Sequence, residues 1–266
     1  MIRHTFVYRM ARGQREISLE PLCCLHIGAL NCDWPTLLER LAAIRRDPTR
    51  LTLVMGDIGD SIYPGPTEKR YDPDTIDPRY YPPHKAYEKF VQLIEPIHRQ
   101  GKVIGYHTGN HDETWSMRSG FNVVRDWVVR QLPGATYLGW LAVTRFIVKD
   151  HRGRTVRTYY INSHHGSFTG NRLGGAINRT EDRGRAWDSD ITLRGHCHQI
   201  GGSKKSRYQW SLSKGKKQVF ALCGSFYSSY LECAASYAEK KDLEPLETGT
   251  ITVLMRPYEN KLGLVF

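Results

Sequence analysis

Leu51-Thr52-Leu53-Val54-Met55-Gly56-Asp57-Ile58-Gly59-Asp60 carries the clearest architectural signal in the chain. Five apolar-dominated residues, too few for a helix and closed by glycine, read as a short buried strand. The Gly-Asp pair then turns the chain and leaves a carboxylate at the strand's C-terminal end, the edge on which open α/β sheets build their sites. Working outward, Ile17 to Leu25 is a second strand candidate. Asp33 can cap a helix that has Pro35 in its first turn and Leu37, Leu38, Leu41 and Ile44 on one face. Downstream, the pattern predicts a helix from His84 to about Gln100, a strand from Val103 to His107 and a helix around Asn122 to Gln131. Such alternation implies parallel strands joined by crossovers.

The second half reads differently. Strand-like runs recur at Ala135 to Lys149, Val156 to Asn162, Ile191 to Arg194, Tyr208 to Leu212, Val219 to Leu222 and Thr250 to Met255, and helical signals nearly vanish. Ser213-Lys214-Gly215-Lys216 and Tyr258-Glu259-Asn260-Lys261 look like hairpin turns. The expected product is a two-sheet sandwich flanked by helices and built from both halves of the chain. Between Gly59 and about Tyr87 lies a long loop with six of the 13 prolines and five of the 15 tyrosines. It reads either as an ordered surface excursion packed by its own tyrosines or as a flap over a cleft.

Composition excludes several classes. With 40% hydrophobic and 11% aromatic residues, the 266-residue chain can bury a sizeable core and is not expected to be disordered. No uncharged stretch with appreciable apolar content exceeds 14 residues, the length of Gln218 to Leu231, short of the roughly 20 that span a bilayer. Arg3, Arg9, Arg12 and Arg15 have no apolar block between them, so no secretory signal is read and a cytoplasmic protein is expected. The six cysteines show no C-x-x-C spacing and read as thiols or ligands. Net charge is +11, and all of that excess lies between Arg145 and Lys217, where 16 Lys and Arg face 5 Asp and Glu.

Five clusters put metal-ligand residue types at strand ends. They are Cys24-Leu25-His26, Gly56-Asp57-Ile58-Gly59-Asp60, Gly109-Asn110-His111-Asp112-Glu113, His164-His165-Gly166 and Gly195-His196-Cys197-His198. Each alone is a common turn; five in sequence are not. A carboxylate bridging two divalent cations about 3.5–4 Å apart, ringed by imidazoles and an amide oxygen, holds a hydroxide at neutral pH and clamps a phosphate. The mixed N/O donor set suits Mn, Fe, Zn, Ni or Co better than Ca or Mg.

In order and spacing these blocks resemble the calcineurin-like metallophosphoesterase superfamily, whose pattern is D-x-H, G-D-x-x-D, G-N-H-D/E, H and G-H-x-H. Four of the five match directly, and the resemblance runs from about Ser18 to the C-terminus. Tyr137-Leu138-Gly139, His165-Gly166, Gly174 to Asn178, Gly195 to Gln199 and Gly224-Ser225-Phe226 look more specifically like the compact metallophosphoesterases of bacteriophages and prophages. The resemblance implies an α/β four-layer αββα sandwich of two mixed β-sheets flanked by helices, with a dinuclear metal site at the strand C-terminal edge. One domain would span 1–266, with the Pro/Tyr-rich insertion at about 59–87. Asp57 would bridge two divalent ions, Mn, Zn, Fe or Ni. One ion would take His26 and His198, and the other Asn110, His165 and His196. His111 would act as a general acid for the leaving oxygen or as a hydrogen-bond donor to the transition state, and Asp112 and Asp60 would orient histidines or close turns. His165 is preferred to His164 because the family's ligand directly precedes the glycine.

The departure is Cys24, which stands where the family has aspartate. Three accounts compete: a thiolate ligand, an incomplete first site, or rescue by a carboxylate such as Asp33. A thiolate would favour zinc or iron over manganese. Cys197 reads as a small residue facing away, and Cys23 and Cys32 as core thiols. Arg172, Arg179, Arg183, Arg185 and Arg194 are candidate phosphate ligands or a solvated loop. Lys204, Lys205, Arg207, Lys214, Lys216 and Lys217 could extend that surface along a polyanion, with Tyr208 and Trp210 either stacking on bases or packing in the core. The expected function is metal-dependent hydrolysis of a phosphodiester by a metal-bridging hydroxide, with nucleic acid or a nucleotide as the substrate and no membrane partner. The alternatives are a phosphomonoesterase acting on a phosphoprotein or small phosphate ester, and a catalytically weak binding module.

Overall fold

The structure is a computed structural model that describes residues 1–266 apart from 63, 65–70, 168–171, 208–215, 231, 233–235 and 241. Its strands are β1 (Ile2–Arg9), β2 (Ile17–Leu22), β3 (Arg50–Val54), β4 (Val103–His107), β5 (Tyr137–Gly139), β6 (Leu141–Lys149), β7 (Thr155–His164), β8 (Ile191–Arg194), β9 (Ile200–Arg207), β10 (Lys216–Cys223), β11 (Thr252–Arg256) and β12 (Lys261–Val265). Its helices are α1 (Trp34–Arg46), α2 (His84–Arg99), α3 (Asn110–Ser119), α4 (Val129–Gln131), α5 (Leu173–Arg185) and α6 (Tyr237–Lys240), and a π-helical turn at Val123–Val128 runs into α4.

The strands form two mixed six-stranded sheets, in the orders β1-β6-β7-β8-β10-β9 and β12-β11-β2-β3-β4-β5. In the second sheet β2, β3, β4 and β5 are parallel, as the alternation of strands and helices predicts. In the first, β7, β8 and β10 are parallel. One apolar core lies between the sheets: Leu19, Leu51 and Leu53 meet Phe146, Ile161, Leu193 and Ala221. Val54 and Tyr106 point the other way, against Leu37, Leu41 and Ile44 of α1 and Phe90 and Ile94 of α2. On the far side α5 packs on β8, β9 and β10, so helices flank both sheets. The architecture is thus an α/β sandwich of two mixed sheets.

Local chemistry accounts for the boundaries. Asp33 accepts from Thr36 N and caps α1 as expected. At the other end of α1, Lys102 Nζ donates to the carbonyls of Ile44, Arg45 and Asp47, satisfying acceptors that a helix C-terminus otherwise leaves open. β2 stops at Leu22 rather than Leu25, because Cys24 and His26 take left-handed backbone that a strand excludes.

Several elements depart from the sequence reading. The Gly109-to-Glu113 block opens a helix, α3, where a turn was expected. The α5 helix, with two glycines in its first turn and many arginines, occupies a region read as free of helix. β1 was not anticipated, although its alternating inward Phe6 and Tyr8 are visible in retrospect. Tyr258–Asn260 does turn between β11 and β12. The strand expected at Tyr208 to Leu212 and most of the turn at Ser213 to Lys216 lie outside the described residues.

Candidate metal centre

Each cluster follows a strand. Cys24 and His26 follow β2, Asp57 follows β3 and Asn110 follows β4, three parallel neighbours of one sheet. His165 follows β7, and His196 and His198 follow β8, parallel neighbours of the other. Backbone bonds fasten the loops in pairs: Leu25 N and His26 N donate to Asp57 O, and Gly195 N donates to His165 O.

The structure brings all seven expected ligand residues together. Cys24, His26 and His198 form one group of potential donors, and Asp57, His165 and His196 form another, with the atoms of each group within 4.8 Å of one another. Asn110 Oδ1 lies 3.1 Å from His165 Nε2, and Asp57 Oδ2 lies 3.1 Å from the same nitrogen. His26 Nε2 and His198 Nε2 approach to 3.3 Å.

The outer nitrogens decide which atoms are left for a cation. Asp60 Oδ1 takes the Nδ1 of His26 at 3.0 Å, and the Met55 carbonyl takes the Nδ1 of His165 at 2.7 Å. Both rings therefore turn Nε2 inward, the arrangement that orients histidine as a metal ligand. His196 Nδ1 is buried with no hydrogen-bond partner among the described residues, a basic nitrogen that a cation would satisfy. Burial holds His196 and His198 below the usual imidazole range, so both are neutral, the form that binds metal. Burial alone would push Asp57 up, but the imidazoles of His165, His111 and His26 outweigh it and hold the carboxyl well below the usual range. These donors fit divalent transition metals.

Asp112 builds the floor. Its carboxylate accepts from the backbone N–H groups of Asp57, Ile58 and Gly109 and from the Tyr87 hydroxyl, so one buried group ties β3's turn, α3 and α2 together. Burial, then the charge of Asp57, pushes Asp112 up to about 6. Close approach of these turns requires glycine: Gly56 has φ +91°, and a Cβ on Gly109 would collide with the Asp57 carboxylate. His111 N donates to Asp57 Oδ1 at 2.8 Å, and its Nδ1 donates to the Asp60 carbonyl.

Five of the seven candidate ligands, Cys24, His26, Asp57, His196 and His198, have φ between 47° and 68°. Left-handed backbone costs a non-glycine residue on the order of 1 kcal/mol and persists where surroundings impose it, commonly at functional sites. Sequence reading could not find this signal.

Other expectations resolve as follows. Asp33 is occupied as the α1 cap and by the Thr248 hydroxyl, so it does not rescue the first site. Cys23 is buried in the core as expected, and its Sγ also lies 3.4 Å from Cys24 Sγ, a thiol pair against the metal group that the sequence reading did not foresee. Cys32 and Cys197 are core thiols, the latter against Ala176 and Leu222. His164 stands aside, its Nδ1 accepting from Gly166 N. Arg194 is buried and bonded to Asn162 and to the Leu193 carbonyl, so it is not a phosphate ligand. Arg183 donates to Ser167, two residues beyond His165, and is the candidate arginine that the structure brings beside the site. Lys205 and Arg185 pair with Glu181, and Lys216 with Asp188, so these cations are neutralised locally. Tyr208, Trp210, Lys214 and the side chain of Arg207 lie outside the described residues.

By sequence the chain matches no protein family and no characterised relative. Among solved structures it is similar to the zinc-complexed Vps29 of Entamoeba histolytica, at 12% identity and TM-score 0.43 over 94% of this chain and 97% of that one. It is also similar to Vacuolar Protein Sorting 29 of Cryptosporidium parvum, at 16% identity and TM-score 0.44 over 95% and 97%. At these values no residue role passes from those proteins to this chain.

Proposed function

We propose that this chain is a metal-dependent phosphoesterase of the calcineurin-like type that hydrolyses phosphodiesters, with nucleic acid or a nucleotide as its substrate. One observation carries the reading: seven donor residues from five strand ends in two sheets converge, with Nε2 of His26 and of His165 turned inward. Cys24, His26 and His198 would hold one divalent ion and Asn110, His165 and His196 the other, with Asp57 shared. Such ions supply Lewis acidity toward phosphate oxygens and an activated water at neutral pH. The chain's own residues do the rest. Asp60 and Met55 fix the rings of His26 and His165. His111, held through Nδ1, presents Nε2 to the leaving oxygen and donates a proton there when charged. Arg183, which donates to Ser167 two residues beyond His165, would meet a non-bridging phosphate oxygen.

Protein loaded with Mn, Zn or Ni is expected to cleave bis-p-nitrophenyl phosphate faster than the monoester, with Asp57→Asn inactive. No turnover with any of these metals overturns the enzyme reading, and a monoester preference overturns the diester assignment. A second reading is favoured by the Cys23–Cys24 thiol contact: the first site stays empty and the chain is a binding module. Elemental analysis separates them, since two ions per chain support the enzyme, whereas one or none, with no gain of activity in Cys24→Asp, supports the binding module.

A further inference from the structure

The structure assigns a docking face for the backbone of single-stranded nucleic acid to the outer surface of β1, β6 and β7, away from the metal ligands. The inference rests on the polyanionic-substrate half of the proposed function, and it relocates the basic surface that composition implies. The strands alternate, so one set of side chains fills the core between the sheets and the other faces out. On β1 the outward set is Arg3, Thr5, Val7 and Arg9, all exposed. Register places Thr5 beside Arg145 and Arg9 beside Lys149 on β6, and Arg145 beside Tyr160 on β7. The result is a continuous two-dimensional array rather than scattered surface charges.

Two features separate this face from the rest of the molecule. First, α5 packs on β8, β9 and β10, while Val7 and Tyr160 stay 51% and 40% exposed, so this half of the sheet carries apolar surface that α5 does not cover. Second, its charges are not neutralised. No Asp or Glu occurs in β1, β6 or β7, and among the described residues Arg3, Arg9, Arg145 and Lys149 make no ion pair. Asp190, at the boundary with β8, is occupied by Tyr160 N and Lys216. In contrast, Lys205 and Arg185 are paired with Glu181, and Lys216 with Asp188. Four like charges on adjoining strands repel one another and favour a polyanion that neutralises them.

The chemistry favours nucleic acid over an acidic protein. Spaced cations around an exposed tyrosine suit phosphates alternating with bases, because any base can stack on an aromatic face. The face also leads to the candidate centre: β7 runs from Tyr160 to His164, and His165 follows directly. A strand lying along β7 would reach the metal group at its C-terminal end.

The test uses the full chain carrying Asp57→Asn, so that a bound oligonucleotide is not cleaved, and reads fluorescence anisotropy of a labelled single-stranded DNA against salt. Adding Arg3→Glu, Arg145→Glu and Lys149→Glu is expected to weaken binding at least tenfold and to reduce the log–log salt slope by about 2, roughly 0.7 for each lost phosphate contact. The matched Arg→Lys changes at positions 3 and 145 should retain affinity, which separates lost charge from lost folding. Unchanged binding in the folded triple-Glu variant overturns the proposal, as does equal affinity for polyglutamate, which would mark the face for an acidic protein. The same three substitutions in otherwise wild-type protein should leave turnover of the small chromogenic diester unchanged. Failure of that turnover in the wild type would sink the phosphoesterase reading while leaving the docking result to stand or fall alone.

Discussion

Cys24 is the residue on which the metal chemistry turns. Its Sγ belongs to the same donor group as His26 and His198, and the carboxylate that might have replaced it, Asp33, is bound up at a helix cap. If the thiolate is a ligand, cobalt-substituted protein should show sulfur-to-cobalt charge-transfer absorption that disappears in Cys24→Ser. The Cys24→Asp variant should keep two ions and shift its preference towards manganese, because oxygen donors suit harder cations. An unchanged spectrum in Cys24→Ser would show that the sulfur is not bound. Asp60 acts one step removed, through His26 Nδ1. Asp60→Asn is therefore expected to lower metal affinity about 10–100-fold, measured by competition with a chromogenic chelator, while leaving the fold intact.

At the scale of elements, readable and unreadable parts divide by how local their cause is. β3 and β4 were legible because short apolar runs closed by turn residues carry their own boundary signals. The α1 helix was legible from Asp33, Pro35 and its apolar stripe. By contrast, α3 begins on the site residues themselves: Gly109 is its cap, and Asp112 both accepts from Gly109 N and braces the turn after β3. A local reading sees only turn formers there. The α5 helix was missed because Gly174, Gly175 and Gly184, with Asn178 and Thr180, weaken intrinsic helix propensity, and packing on β8, β9 and β10 overrides that. Lys102 shows the same dependence on distant partners. Its ammonium satisfies three carbonyls at the end of α1, so Lys102→Met should cost about 1–3 kcal/mol by denaturant unfolding, through acceptors left without donors. Turnover should be retained, since the residue is at the opposite end of β4 from Asn110.

For the whole molecule, the candidate ligands join the two sheets at one edge, so a bound ion would bridge elements otherwise held chiefly by apolar packing. Metal binding the folded chain only should raise its stability, by about 2.7 kcal/mol at a free concentration one hundred times Kd. Calorimetry is expected to show a Tm that falls on chelation and recovers on adding Mn or Zn. A Tm indifferent to both would count against a preformed centre.

Two kinds of information are separable in this chain. The strand-turn blocks, their order and their donor types were set by the sequence alone, because a buried apolar run followed by Gly-Asp or Gly-His is specified within a few residues. Which atoms face inward was not. His26 meets His198 across 172 positions, and the free nitrogen on each ring depends on a partner such as Asp60 or Met55 supplied by another loop. The placement of charge divides in the same way. Composition located the excess between Arg145 and Lys217, but only the register of β1 against β6 brings Arg3 and Arg9 beside Arg145 and Lys149, and only α5 supplies the acid that neutralises Lys205. Side-chain identity is local, whereas desolvation, tautomer and ion pairing depend on what the fold places opposite.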